Sequence, residues 1–161
     1  MNKITKSKTR PMLVECMMDV AKIFAARSSC SRLSVGAVIT NSDMTNINSV
    51  GYNGGARGLK NDCDSLEPGQ CGHLHAEINA LLKADYSVKD KKMFVTHFPC
   101  PQCAKAIINA GITELWYGEE YRDSDRSKDI FDSADIKYYD IAEYVSEVDY
   151  KNSLYPEYLN N

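Results

Sequence analysis

The sequence predicts an α/β fold, a three-layer α/β/α sandwich on a mixed five-stranded sheet. Two observations carry that reading. VGAVIT (35–40) and INSVGYN (47–53) are apolar runs joined by the polar turn NSDMTN, the pattern of a hairpin. Three later runs, MFVT (93–96), ELWY (114–117) and IKYY (136–139), alternate with helical segments over short links, which implies parallel pairing through right-handed crossovers.

Ahead of the hairpin, Leu13, Cys16, Met17, Val20, Ile23 and Phe24 recur at helical spacing between Met12 and Arg27. An amphipathic helix is expected to lay this stripe, Cys16 included, on the sheet. A loop rich in Gly, Asp and Cys fills 54–74, and a helix follows from His75 to Ala84. CPQCAKAIINAG reads as a helix ending at Gly111, with Pro101 suited to its first turn. Another helix spans Ser127 to Ser133, and the Tyr- and acid-rich segment 141–161 is expected to form a final helix and a subunit-contact tail. No internal repeat or low-complexity linker divides the chain, so one domain is read over 1–161, with its core at about 12–140.

At 161 residues, 43% apolar and 25% charged, the chain is long enough for a single core and ordinary for a globular domain. No window of about 18 apolar residues exists for a membrane span. The start, MNKITKSKTR, lacks the apolar centre of a secretory signal, so a cytoplasmic protein with no membrane partner is expected. The formal charge is −3, and Glu119 to Asn161 holds twelve acids against five bases, a balance that repels nucleic acid. The four bases among the first ten residues read as a solvated terminus.

The six cysteines stand at 16, 30, 63, 71, 100 and 103, and in a reduced cytosol such clusters bind metal or catalyse. Cys100 and Cys103 form a C-x-x-C pair, which alone suits either a redox dithiol or half of a metal site. LHAEINA decides between them, because it sets His75 and Glu77 at a second helix start. Two thiolates and one imidazole make a three-ligand zinc site with a position open for water, and zinc lowers that water's pKa towards about 7. Glu77, two residues beyond the ligand, is placed to take the water's proton and return it. The joint pattern H75-A-E77 … P99-C100-P-Q-C103 is the signature of zinc nucleobase deaminases.

With these motifs in hand, the sequence resembles the deoxycytidylate (dCMP) deaminases of the cytidine deaminase superfamily, and bacteriophage and bacterial members in particular. The resemblance runs from about Phe24 to Asp140, through CSRLSVGAVI (30–39), GYNGGARG (51–58), LHAEINA (74–80), the T-x-x-P-C-P-Q-C-A-K-A-I run (96–107) and GEEY (118–121). It implies hydrolysis of dCMP to dUMP and ammonia, feeding thymidylate synthesis. Zinc-activated water would attack C4 of the cytosine, with Glu77 carrying protons to N3 and the leaving amine. The Ala76 backbone amide and Asn53 would orient the base. Arg27, Arg32 and Arg122 are candidates for the 5′-phosphate, which favours bidentate arginine, and Tyr121 would cover the sugar and phosphate. The resemblance also implies an effector site at Gly51, Tyr52, Asn53 and Gly54, where dCTP activates and dTTP inhibits, with Mg²⁺ accompanying the effector, in a homohexamer.

Cys30, Cys63 and Cys71 fall where some relatives of this kind hold a second, structural zinc, with His73 as the fourth ligand or His97 as its rival. Phe98, beside the P-C-x-x-C motif, is expected to shape the base pocket. The alternatives are a deaminase also acting on dCTP and a catalytically silent nucleotide-binding zinc module. Glu77 speaks against the second, since pure binding has no use for a proton-carrying carboxylate.

Overall fold

The computed structural model describes residues 10–122 and 124–154, so the basic stretch before Arg10 and the tail beyond residue 154 lie outside the described residues. The chain runs α1 (Leu13–Ala25), β1 (Gly36–Thr40), β2 (Ile47–Tyr52), α2 (Ala76–Leu81), β3 (Lys91–His97), α3 (Pro101–Asn109), β4 (Ile112–Glu119), α4 (Ser124–Asp132), β5 (Lys137–Asp140) and α5 (Ile141–Leu154). The sheet order is β2-β1-β3-β4-β5. β1 pairs antiparallel with both β2 and β3, while β3, β4 and β5 are parallel, so the expected mixed sheet is present.

Strand periodicity separates the two faces. Ala37, Ile39, Met93, Val95, Leu115 and Tyr117 point to one side, where they meet Ala76 and Ala80 of α2, Ala104 and Ile107 of α3, and Phe131 of α4. Val38, Phe94 and Trp116 point to the other, against Val14, Met18 and Ala21 of α1 and Ile141 of α5. Tyr144 adds an edge-to-face contact with Trp116 at 4.8 Å, so the final helix is part of the packed unit.

The α1 face differs from the expected one. Val14, Met18, Ala21 and Ala25 are buried, whereas Leu13 and Ile23 are 46% and 68% exposed and Cys16 is only half-buried. The reason is a close approach of main chains. A Cβ on Gly36 would overlap the Ala21 carbonyl oxygen and lie 2.6 Å from the Ala25 nitrogen, so the helix must present its smallest residues to β1. The larger apolar residues are rotated onto the flanks.

The same device seats α2 on β2. A Cβ on Gly51 would overlap the Ala76 carbonyl oxygen and the Ala80 nitrogen. Asn79 Nδ2 donates to the Tyr52 carbonyl at 2.8 Å, and Ser49 Oγ donates to the Ala80 carbonyl at 2.9 Å, which fixes the helix along the strand. Gly51→Ala should therefore lower the unfolding free energy by about 2 kcal/mol, the scale of overpacking in a filled core. A lowered urea midpoint at unchanged m-value is the measurement that checks it.

Candidate active site

Two helix starts converge beyond the carboxyl ends of the parallel strands, where α/β sheets place their ligands. His75 is the N-cap residue of α2 (φ −70°, ψ 153°) and Cys100 that of α3 (φ −70°, ψ 164°). Neither side chain caps its own helix, so both are free to turn to a common point. His75 Nδ1 lies 3.5 Å from Cys100 Sγ and 3.3 Å from Cys103 Sγ. One imidazole nitrogen and two sulfurs, all within 4.8 Å of one another, form a group that could hold a metal ion, and they are donors of the kind that three-ligand zinc sites use.

These residues line a cavity of about 570 Å³, within the usual size range of small-molecule sites. Glu77 borders it and is only 4% exposed. Burial holds its carboxyl above the ordinary range, against the lowering effects of backbone hydrogen bonding and of His75. Cys100 and Cys103 share one proton in the absence of metal. Cys100 is drawn down to about 4, first by the hydrogen bond from Cys103, while Cys103 is pushed up by that same bond and by burial. The hydrogen bond to Cys100 raises His75, with desolvation opposing.

Asn53 also lines the cavity, with its amide fixed from behind: Oδ1 accepts from Val35 N at 2.8 Å and Nδ2 donates to the Leu33 carbonyl at 2.7 Å. One N–H and one lone pair of that amide remain for a ligand. Phe98 borders the cavity from the core, 2% exposed, its ring edge-on to Tyr117 at 4.7 Å and to Phe131 at 5.9 Å.

Ala76, Tyr121, Arg32 and Arg122 line the same cavity, as their expected roles require. Arg27 is not among the residues lining it; its guanidinium stands over the Tyr52 ring at 5.5 Å. Arg126 takes a place there that sequence reasoning missed. A helix expected from Ser127 excludes Arg126, whereas α4 begins at Ser124 and carries it in its first turn. A second arginine four residues after Arg122, in the segment that leads into α4, was the available signal.

Of the four ligands expected for a second metal, the structure groups Cys30, Cys63 and His73. Cys63 Sγ lies 3.9 Å from Cys30 Sγ, and both ring nitrogens of His73 are buried without a hydrogen-bond partner. An orphaned buried imidazole beside two thiols fits a metal ligand set. Cys71 is buried on the cavity wall but its sulfur lies outside this group, and its carbonyl accepts the Asp64 N–H at 3.1 Å. His97, the alternative fourth ligand, is engaged elsewhere: Nδ1 is 3.1 Å from Thr96 Oγ1 and Nε2 is 3.3 Å from Glu119.

Residues 12–119 match the cytidine and deoxycytidylate deaminase zinc-binding region. The chain belongs to the cytidine and deoxycytidylate deaminase family. Within that family, it is 38% identical over 140 residues to the deoxycytidylate deaminase of Pongo abelii, covering 77% of this chain and 76% of the relative. ComE operon protein 2 of Bacillus subtilis is 36% identical over 126 residues, covering 74% of this chain, which spans 66% of that relative's length. The crystal structure of dCMP deaminase from the cyanophage S-TIM5 in complex with dCMP and dUMP superposes with a TM-score of 0.73 at 34% identity, covering 83% of this deaminase-family chain and 100% of that one. No helix among the described residues is long and apolar enough to cross a membrane.

The thiol pair has a measurable consequence. After chelation of metal, iodoacetamide should alkylate Cys100 readily at pH 6, where an ordinary thiol of pKa about 8.5 is scarcely ionised. The reaction should fade only as pH falls through about 4, because protonation then removes the thiolate. Cys103, 1% exposed, should stay unmodified, and peptide mapping by mass spectrometry reads both outcomes.

Proposed function

We propose that this chain catalyses the zinc-dependent hydrolysis of dCMP to dUMP and ammonia. The observation that carries the reading is the buried Glu77 carboxyl in the same cavity as the His75–Cys100–Cys103 donor set. Arginines on the cavity wall support a phosphorylated substrate, and the likeness to a dCMP deaminase bound to dCMP and dUMP points the same way.

His75, Cys100 and Cys103 would hold the metal, which when bound supplies the Lewis acidity that brings a water's pKa near neutrality. Glu77 takes a proton from the attacking water and delivers it to N3 as the C4–O bond forms. It then passes the second proton to the exocyclic nitrogen, so that the C4–N bond breaks with release of neutral ammonia. A carboxyl whose proton affinity is raised by burial suits both the acceptance and the return. The remaining N–H and lone pair of Asn53 and the Ala76 amide orient the base, while Arg32, Arg122 and Tyr121 serve the sugar and phosphate.

We extend the reading to the second metal and to effector control. Cys30, Cys63 and His73 would hold a structural zinc, with Cys71, buried on the same cavity wall, as the remaining candidate ligand. Tyr52, beside Gly51, Asn53 and Gly54, has Arg27 at 5.5 Å and Lys83 at 5.9 Å from its ring; cations beside an aromatic suit dCTP or dTTP with Mg²⁺. The oligomer, a hexamer, belongs to the same reading.

Glu77→Gln should retain bound zinc and fold while lowering turnover of dCMP by about 10²- to 10⁴-fold, the range for loss of general acid–base catalysis. Ammonia release and metal analysis measure the two halves, and substantial residual turnover would contradict the mechanism. Metal analysis of the unmodified chain should give two zinc ions, and Cys63→Ser should give one with a lowered melting temperature. Assays with dCMP, dCTP and deoxycytidine, each with and without dCTP or dTTP as effector, test substrate and regulation together.

A further inference from the structure

His97 lines the cavity, yet the reaction derived above gives it no part. Its side chain is 17% exposed, and its ring is held at both nitrogens. Thr96 Oγ1 accepts the Gly36 N–H at 3.2 Å, which leaves its own proton for His97 Nδ1 at 3.1 Å. Nε2 then carries the ring proton and donates it to Glu119, 3.3 Å away and opposite His97 in the β3–β4 register. An imidazole committed at both nitrogens has only ring carbon left to offer a ligand. Phe98, the next residue, adds a second apolar surface with no room to yield, since the rings of Tyr117 at 4.7 Å, Tyr138 at 5.7 Å and Phe131 at 5.9 Å meet it edge to face.

The sheet decides which edge of a pyrimidine meets this wall. β2, β3 and β4 run in one direction and β1 runs against them, so the carboxyl ends of those three and the start of β1 share one end of the sheet. Across that end come Asn53 after β2, Val35 ahead of β1, His97 and Phe98 at the close of β3, and Tyr121 after β4. α2 is seated on β2 by the Gly51 contact, so Glu77 enters the cavity from the Asn53 side. C4 of cytosine has two ring neighbours, N3 and C5. With C4 at the His75–Cys100–Cys103 group and N3 turned to Glu77, the C5–C6 edge points away from α2, towards His97 and Phe98.

We infer that His97, backed by Phe98, forms the wall against C5 of the bound base and sets how large a substituent the chain accepts there. The inference rests on the reading of the cavity as a dCMP site and adds a specificity-determining residue on the base. A hydrogen at C5 needs no polar partner and lies against ring carbon. A larger group has to displace an imidazole anchored at both ends, and misfit of one such group in a closed pocket costs about tenfold or more.

The test compares kcat/KM for dCMP with that for its C5 fluoro, methyl and bromo derivatives, in the unmodified chain and in His97→Ala. Methyl and bromine are alike in size and opposite in electronic effect, whereas fluorine withdraws electrons as bromine does but is hardly larger than hydrogen. His97→Ala should raise the methyl and bromo compounds relative to dCMP by about tenfold each and leave the fluoro ratio where it was. Glu119→Ala removes a side chain that is 76% exposed, frees Nε2 and should shift the same two ratios in the same direction by a smaller factor. It decides the matter if His97→Ala does not fold. Methyl and bromo ratios that stay put would overturn the inference. So would a gain shared by bromine and fluorine but not by methyl, since electronic activation and not a wall would then be at work. A chain that releases no ammonia from dCMP would overturn the underlying reading and the inference with it, whereas normal turnover with ratios indifferent to His97 would overturn the inference alone.

Discussion

The site depends on a contact between two stretches of main chain, Gly51 of β2 and the Ala76–Ala80 turn of α2. No side chain fits between them. α2 therefore lies closer to the sheet than ordinary packing allows, and its first residues are carried to the ends of the parallel strands. The Asn79 amide on the Tyr52 carbonyl removes the freedom to slide along the strand. With the helix fixed in two directions, the N-cap side chain of His75 has one place to go, beside the thiols at the start of α3. GYNG thus has a structural meaning independent of any ligand: the first Gly admits the helix, the Tyr carbonyl anchors it and the Asn amide ties Leu33 and Val35 to the cavity wall.

The cavity brings together groups of opposite charge. It holds a buried carboxyl, a thiol drawn down by its neighbour and an imidazole, each shifted from its usual behaviour by burial or by a direct hydrogen bond. Arginines 32, 122 and 126 line the same cavity, and none of them forms an ion pair with an acid among the described residues. Desolvation that would be costly for an isolated carboxylate keeps the Glu77 proton available, which is the property a proton carrier needs. Arginines, whose charge is not lost by burial, are the residues that can hold an anion in the same cavity.

The elements of the fold were legible because the apolar runs are short, separated by turn residues and set at strand or helical period. The orientation of α1 was not. Its larger apolar residues, Leu13, Cys16, Met17, Val20, Ile23 and Phe24, formed the stronger stripe, but the contact is governed by Gly36 on a distant strand, and hydrophobicity alone cannot register that. The grouping of His75 with Cys100 and Cys103 was legible because these residues lie at helix starts, where sequence spacing translates directly into geometry. Arg27 and Arg126 show the limit of that translation. Each is a bare arginine in sequence, and the difference between stacking on Tyr52 and lining the cavity depends on where a neighbouring element begins.

The segment 54–74 is long for a connection without helix or extended strand, and loops of that length in a compact domain carry function. Leu59 and Leu66 are 71% and 72% exposed, so apolar burial does little to hold it. Its ends meet at the Gly54–Leu74 bridge, and Cys63 reaches Ser31 at 3.4 Å and Cys30 at 3.9 Å. On either side of Leu74, His73 and His75 join separate sulfur clusters while lining a single cavity. The contacts of Cys63 with Ser31 and Cys30 tie this loop to the segment that carries Arg32. The loop and the cavity are joined at this point, because two imidazoles separated by a single residue line the cavity while each stands beside a different pair of thiols.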